Sequence, residues 1–161
     1  MLLKTVLNRV HPVKGFVYDS VRWVLDEPEE RLEVRVRPRE GSRPYCSGCG
    51  VRRAVYDRLS ERRFAFVPLW AISVYLLYTM RRVNCPACGI KVEMVPWSTG
   101  KRPMTRAYAV FLARWANRLS WQEVAEVFRT SWESVFRSAQ WVVEYGLERP
   151  QSGGHHGNRR R

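Results

Sequence analysis

The chain has 161 residues, 45% of them hydrophobic and seven of them tryptophan, which suits one domain or two small ones and excludes wholesale disorder. Its formal net charge of +13 implies a polyanionic partner, nucleic acid before membrane. Met1-Leu2-Leu3-Lys4 runs into polar residues too soon for a signal peptide, and the uncharged run from Val67 to Met80, fourteen residues, is short of the ~20 that a membrane helix needs, so a cytoplasmic protein is expected.

Residues 1–30 read as an N-terminal extension with little pattern. Phe16-Val17-Tyr18 suits a short strand, His11 beside Pro12 reads as a surface residue, and Asp26-Glu27-Pro28-Glu29-Glu30 reads as a turn. Leu32 to Arg37 then alternates apolar with charged, the period of a half-buried strand with Glu33, Arg35 and Arg37 facing outward.

Two knuckles follow, Cys46-Ser47-Gly48-Cys49-Gly50 and Cys85-Pro86-Ala87-Cys88-Gly89, with the 35 residues 50–84 between the two cysteine pairs. Thiolates two residues apart reach a single ion, and the glycine lets the chain turn while backbone N–H groups point back at sulfur. Cys46, Cys49, Cys85 and Cys88 therefore form the expected metal site: one structural zinc in a closed tetrahedron of sulfur. Two disulfides, a redox-active pair and a rubredoxin-like iron site are the rival readings. A catalytic zinc is disfavoured because four thiolates leave no position for water, and no His-x-Glu accompanies the cysteines as a deaminase would require.

Between the knuckles, Val55 to Arg58, Arg62 to Val67 and Ser73 to Val83 suit strands, with a turn at Pro68 to Ala71, and Ile90 to Val95 leaves the second knuckle in alternation. Residues 31–96 are thus expected to be a small zinc-stapled β module, and the breaker-rich basic stretch 97–104 a linker. The positive charge is concentrated in the module: residues 31–63 carry +6 and 64–104 carry +4, against +1 for 105–150. Arg outnumbers Lys, and Arg forks suit phosphate oxygens and guanine edges. The DNA-gripping candidates are accordingly Arg43, Arg52, Arg53, Arg62, Arg63, Arg81, Arg82, Lys101 and Arg102.

From Thr105 the period becomes helical, with Tyr108, Phe111, Leu112 and Trp115 on one face. Ser120 to Glu123 is a capping box opening a second helix with Trp121, Val124, Ala125 and Phe128 on one face. Thr130 to Glu133 opens a third, expected to bury Trp132, Val135, Phe136, Ala139 and Val143 and to present Ser131, Ser134, Arg137, Ser138 and Trp141 to DNA. Two short helices across a tight turn behind a support helix is the helix-turn-helix pattern, and a dimerisation bundle is its bland counterpart. The fold expected is α+β: the zinc-ribbon-like module followed by a three-helix helix-turn-helix bundle over 105–148. Residues 149–161 contain no large apolar residue and read as a disordered basic tail, His155 and His156 included.

This order of parts resembles the bacterial insertion-sequence transposases of the ISL-three type over residues 40 to 148. The resemblance rests on Tyr45-Cys46-Ser47-Gly48-Cys49-Gly50, on Arg81-Arg82-Val83-Asn84-Cys85-Pro86-Ala87-Cys88-Gly89, and on the helical segment ending Trp141-Val142-Val143-Glu144-Tyr145-Gly146-Leu147. It implies a zinc module and helix-turn-helix directed at the terminal inverted repeats of an element, with double-stranded DNA as partner and a homodimer or an intact transposase as protein partner. It also implies a nucleoid-associated protein, and a ribonuclease-H-like catalytic domain beyond residue 148. The tail offers no acidic triad for that domain, so the expectation is a truncated transposase that binds without cutting, hence no enzyme. A transcription regulator built from the same modules and an iron-binding electron carrier are the alternatives.

Overall fold

The computed structural model describes residues 2–26 and 29–148. Its organising strand is β5 (Ile72–Cys85), rich in β-branched and aromatic residues, which uses both of its edges. One edge is paired antiparallel along nearly its whole length with β4 (Val55–Leu69), from Leu69↔Ile72 to Val55↔Val83. The other edge is shared. Its first half pairs in parallel with β2 (Glu29–Pro38), from Arg31↔Ser73 to Arg35↔Leu77, and its last residues pair antiparallel with β6 (Gly89–Met94). Strand β1 (Phe16–Asp26) extends the sheet beyond β2, and the two-residue β3 (Tyr45–Cys46) extends it beyond β6. Three register shifts in the β4–β5 ladder add to the ordinary strand twist and curl this six-stranded sheet.

Period-2 alternation fills one face. Leu32, Val34 and Val36 from β2, Phe64 and Phe66 from β4, and Val74, Leu76, Tyr78 and Met80 from β5 are all buried. Trp97 is inserted among them, edge-on to Phe16 at 4.8 Å, Tyr78 at 5.2 Å and Phe64 at 6.1 Å. Helix α1 (Leu3–Val10) adds Leu7 to this core, and its Asn8 side chain accepts from Tyr18 N and donates to Tyr18 O. His11 bonds the Tyr18 hydroxyl at 2.6 Å and packs on Phe66, far from any role at the cysteines.

Helices α2 (Arg106–Ala116), α3 (Trp121–Val127) and α4 (Trp132–Glu148) share a second core of Tyr108, Leu112, Val124, Ala125 and Val135. Thr105 caps α2 and ties it to the sheet: its N–H and hydroxyl both donate to Ala65 O, while Ala65 N donates to Pro103 O. The stretch 97–104 read as a linker therefore carries a core tryptophan and pairs with β4 through Ala65 and Met104.

The expected small zinc-ribbon-like module followed by a three-helix helix-turn-helix bundle is not the architecture. The molecule is sheet-rich, and residues 16–38 form two of the six strands. Strand β2, apolar on one face, needs neighbours on both edges to satisfy its backbone, and β1 and β5 supply them. The alternation of β1 is hard to read because its far half, with Trp23 and Leu25, lies exposed.

The orientation of α4 also differs from expectation. Trp132 is 51% exposed, Phe136 39% and Val143 61%, while Val135 and Ser138 are fully buried. The helix turns inward the stripe of buried Val135 and Ser138 and half-buried Ala139 and Val142, and Val135 joins the core with Tyr108 and Leu112 of α2. Ser138 is tolerated there because its hydroxyl donates to Ser134 O at 2.6 Å. The cap is Ser131, whose oxygen accepts from Ser134 N, one residue later than the predicted Thr130. The Ser120–Glu123 capping box of α3 forms as predicted. The tail 149–161 lies outside the described residues.

Candidate metal centre and cationic surface

Each knuckle sits where a strand ends. Cys46 closes β3 with Cys49 in the turn after it, and Cys85 closes β5 with Cys88 in the turn into β6. Gly50 and Gly89, immediately after each pair, have φ of +69° and +72°, a left-handed conformation that a side chain would strain. The β5–β6 and β3–β6 ladders then bring the two turns together, so the four Sγ atoms lie within 4.8 Å of one another and the Cys49–Cys85 pair is 3.6 Å apart. All four are free thiols. A metal–sulfur bond of about 2.3 Å sets tetrahedral sulfur–sulfur edges of roughly 3.8 Å, so this cluster fits a four-coordinate ion. A Cβ on Gly48 would stand 2.8 Å from Cys88 Sγ, which leaves this position to glycine.

The electrostatics suit thiolates. Gly48 N–H donates to Cys46 Sγ and Arg53 Nε to Cys85 Sγ, both at 3.4 Å. The Arg53 guanidinium lowers the Cys85 thiol to about 6, and backbone N–H groups of Cys49 and Gly48 lower Cys46. Cys88 is pushed up to about 12, chiefly by burial and then by its neighbouring sulfurs. Four sulfurs this close together could hold a metal ion.

The predicted DNA-facing residues divide into three groups. Arg81 is buried: its Nε and Nη2 donate to Glu93, and its Nη1 donates to Ser42 O. Ser138 is buried as well. Arg53 serves a thiolate, Arg82 is held in a fork by Asp57, and Arg63 lies over Tyr75 and 3.5 Å from Glu33. Arg52 stacks on Tyr45, and Arg43 is exposed nearby.

The third group converges although it spans 75 positions of the chain. Arg62 lies over Phe64 and donates to Lys101 O and Arg102 O, and Arg102 donates to Arg137 O and lies over the Trp141 ring. The sheet and the α4 helix thus share one cationic ridge: Arg62, Lys101, Arg102 and Arg137, with exposed Ser131 and half-buried Ser134 at the start of the same helix.

Sequence reasoning missed the internal use of charge. Glu33, expected to face outward, is 4% exposed and receives Arg22 at 2.6 Å, Arg31 at 3.0 Å and Arg63. Its position midway along an alternating strand, two residues after Arg31, was the available signal. Sequence reasoning also missed Lys14 and Arg106, which no local pattern marks and which the fold brings to one cleft beside the first knuckle.

No protein-family model and no solved structure matches the chain. Among curated proteins it is similar to the transposases for insertion sequence element IS1557 of Mycobacterium tuberculosis strains CDC 1551 / Oshkosh and ATCC 25618 / H37Rv. Each is 33% identical over 125 residues, covering 76% of this chain and 28% of the relative. The chain spans little more than a quarter of the length of these relatives and is homologous to part of an insertion-sequence transposase. Among the described residues no helix is long and apolar enough to cross a membrane.

Proposed function

We propose that this chain is a DNA-binding part of an insertion-sequence transposase of the ISL-three type, folded around one structural zinc ion held by Cys46, Cys49, Cys85 and Cys88. Its role in transposition is to hold the terminal inverted repeats of the element in duplex form, working in the cytoplasm at the nucleoid. A second copy or an intact transposase is its protein partner. The cationic ridge linking Arg62, Lys101 and Arg102 to Arg137 is the observation that carries the binding reading, because hydrogen bonds from Arg62 and Arg102 to backbone carbonyls join cationic residues of distant segments into one surface, with Glu133, 3.6 Å from Arg137, as the carboxylate at its edge. Such a surface suits phosphate oxygens, with the exposed first turn of α4 adding base contacts. Binding rather than cutting is assigned to these residues. Among the described residues, the group of His, Cys, Asp or Glu side chains placed to hold an ion is the four cysteines, whereas phosphodiester chemistry uses converging carboxylates. Zinc is chosen over iron because the homology is to a DNA-transposition protein and four thiolates accept either metal.

The test is selection from a random duplex pool by the zinc-loaded chain. Recovery of the element's own end sequences supports the proposal. Enrichment of unrelated promoter-like sites would move the protein to gene regulation, and no duplex binding at low salt would remove the DNA reading.

A further inference from the structure

Beside the first knuckle, a cleft of about 410 Å³ opens between the start of β1, the segment entering β3, the end of β6 and the start of α2. That volume is in the range of small-molecule sites, ~300–1,000 Å³. Its walls divide by chemistry. Phe16, Pro44, Tyr45, Met94, Val95 and Pro96 supply apolar surface, and Tyr45 and Met94 remain 37% and 47% exposed. Lys14, Arg43, Arg52 and Arg106 supply cations. The carboxylate in its lining, Glu93, has one oxygen taken by Tyr78 and Arg81 N and the other by the Arg81 guanidinium, so Arg81 and Glu93 neutralise each other. Four cations are left around an apolar wall.

A flat apolar ring carrying a negative group fits that division better than a simple anion or a hydrocarbon does. We propose that the cleft takes a nucleotide, its base against Tyr45 and Met94 and its phosphate among Lys14, Arg43 and Arg106. Arg52, already stacked 5.0 Å from the Tyr45 ring centroid, makes that ring part of a cation–π platform. The nucleotide comes either from DNA, as an unpaired or extruded residue, or from free mononucleotide. The first source rests on the DNA-binding reading above, and the second does not.

The experiment uses the full, zinc-loaded chain. Fluorescence anisotropy compares a paired duplex, the same duplex with one unpaired central nucleotide, and one with an abasic residue at that point. A separate titration uses dAMP alone. If the source is DNA, the unpaired nucleotide binds about tenfold more tightly than either control. Tyr45→Ala and Met94→Ala, which leave the charge unchanged, abolish that preference but not paired-duplex affinity or zinc content, and Tyr45→Phe retains it. If the source is free nucleotide, dAMP binds saturably and both alanine variants lose it, with no preference among the duplexes. Equal affinity for all three duplexes together with no dAMP binding would overturn the proposal while leaving duplex binding standing. A preference that survives both alanine variants would overturn it too. A chain that binds dAMP but no duplex keeps the cleft and loses the DNA reading.

Discussion

The guanidinium of Arg81 and the carboxylate of Glu93 meet at 2.7 Å across the β5–β6 ladder, with side chains only 4% and 0% exposed. Glu93 also accepts from Arg81 N at 2.8 Å and from the Tyr78 hydroxyl at 2.5 Å, so all of its strong acceptor capacity is used inside the protein. Removing one member strands the other. Arg81→Ala or Glu93→Ala is expected to lower stability by ~3–5 kcal/mol in urea unfolding, the usual result of leaving a buried charge unpaired. A loss below about 1 kcal/mol for either would show that the pair is solvated and not part of the interior.

The metal cluster makes a local prediction. Cys88→Ser should abolish one-to-one zinc binding, and because structural zinc supplies ~10 kcal/mol or more in small sites, the two knuckles should open. The main core around Val34, Phe64 and Leu76 belongs to a different cluster from Cys46, Val83 and Cys85. Hydrogen exchange should therefore rise at β3, β6 and the end of β5 before it rises in β2. Gly48→Ala tests the same packing more gently: its Cβ must displace the Cys88 sulfur, so zinc affinity falls while the fold persists.

Acid stability has a named contributor. The hydrogen bond from Arg22, and after it that from Arg31, holds the Glu33 carboxyl below the usual carboxylate range against the opposing effect of burial. A carboxyl depressed in the folded state contributes stability that is complete above its unfolded value, about 4.3, and is lost as pH falls through the folded one. Glu33→Gln should therefore be less stable than the parent at pH 7, and the difference in melting temperature should shrink below about pH 4.3. A constant difference down to pH 2 would assign the destabilisation to packing.

The β4–β5 turn carries correctable strain. Trp70 and Ala71 have φ of +49° and +63° in a two-residue loop, a conformation that Asn and Gly adopt at lower cost. Trp70 is 85% exposed, so its replacement removes little packing. Trp70→Asn with Ala71→Gly should raise stability by about 1 kcal/mol, read from the urea midpoint at unchanged m-value.

What was legible in the sequence was local. The Ser120 capping box and the burial of Leu32, Val34 and Val36 depend on spacings of two to four residues and take their predicted form, and the cysteines of the two Cys-x-x-Cys pairs lie together. What was not legible depends on distant partners. Arg81 looks like a surface cation until Glu93 is placed across the ladder, and Glu33 looks solvated until Arg22 from β1 and Arg63 from β4 join its own strand's Arg31 around it. Helix α4 shows the same limit. Trp132 and Phe136 outweigh Val135 and Ser138 in any hydrophobic pattern, yet Val135 is the residue that enters the core with Tyr108, Leu112 and Val124. The sheet was underestimated because a parallel β2–β5 pairing across some forty residues leaves no local mark.

The most direct test is the salt dependence of duplex binding by the zinc-loaded chain, measured with Arg62→Ala plus Arg137→Ala beside Arg82→Ala. The expected result is binding whose logarithm falls linearly with the logarithm of salt concentration. The ridge double variant should flatten that slope by about two, since Arg137 meets Glu133 only at 3.6 Å between exposed side chains, while Arg82→Ala, whose guanidinium is held by two hydrogen bonds to Asp57, should change it little. Equal slopes for the parent and the ridge variant would contradict a phosphate-gripping ridge, and with it the assignment of this chain to DNA.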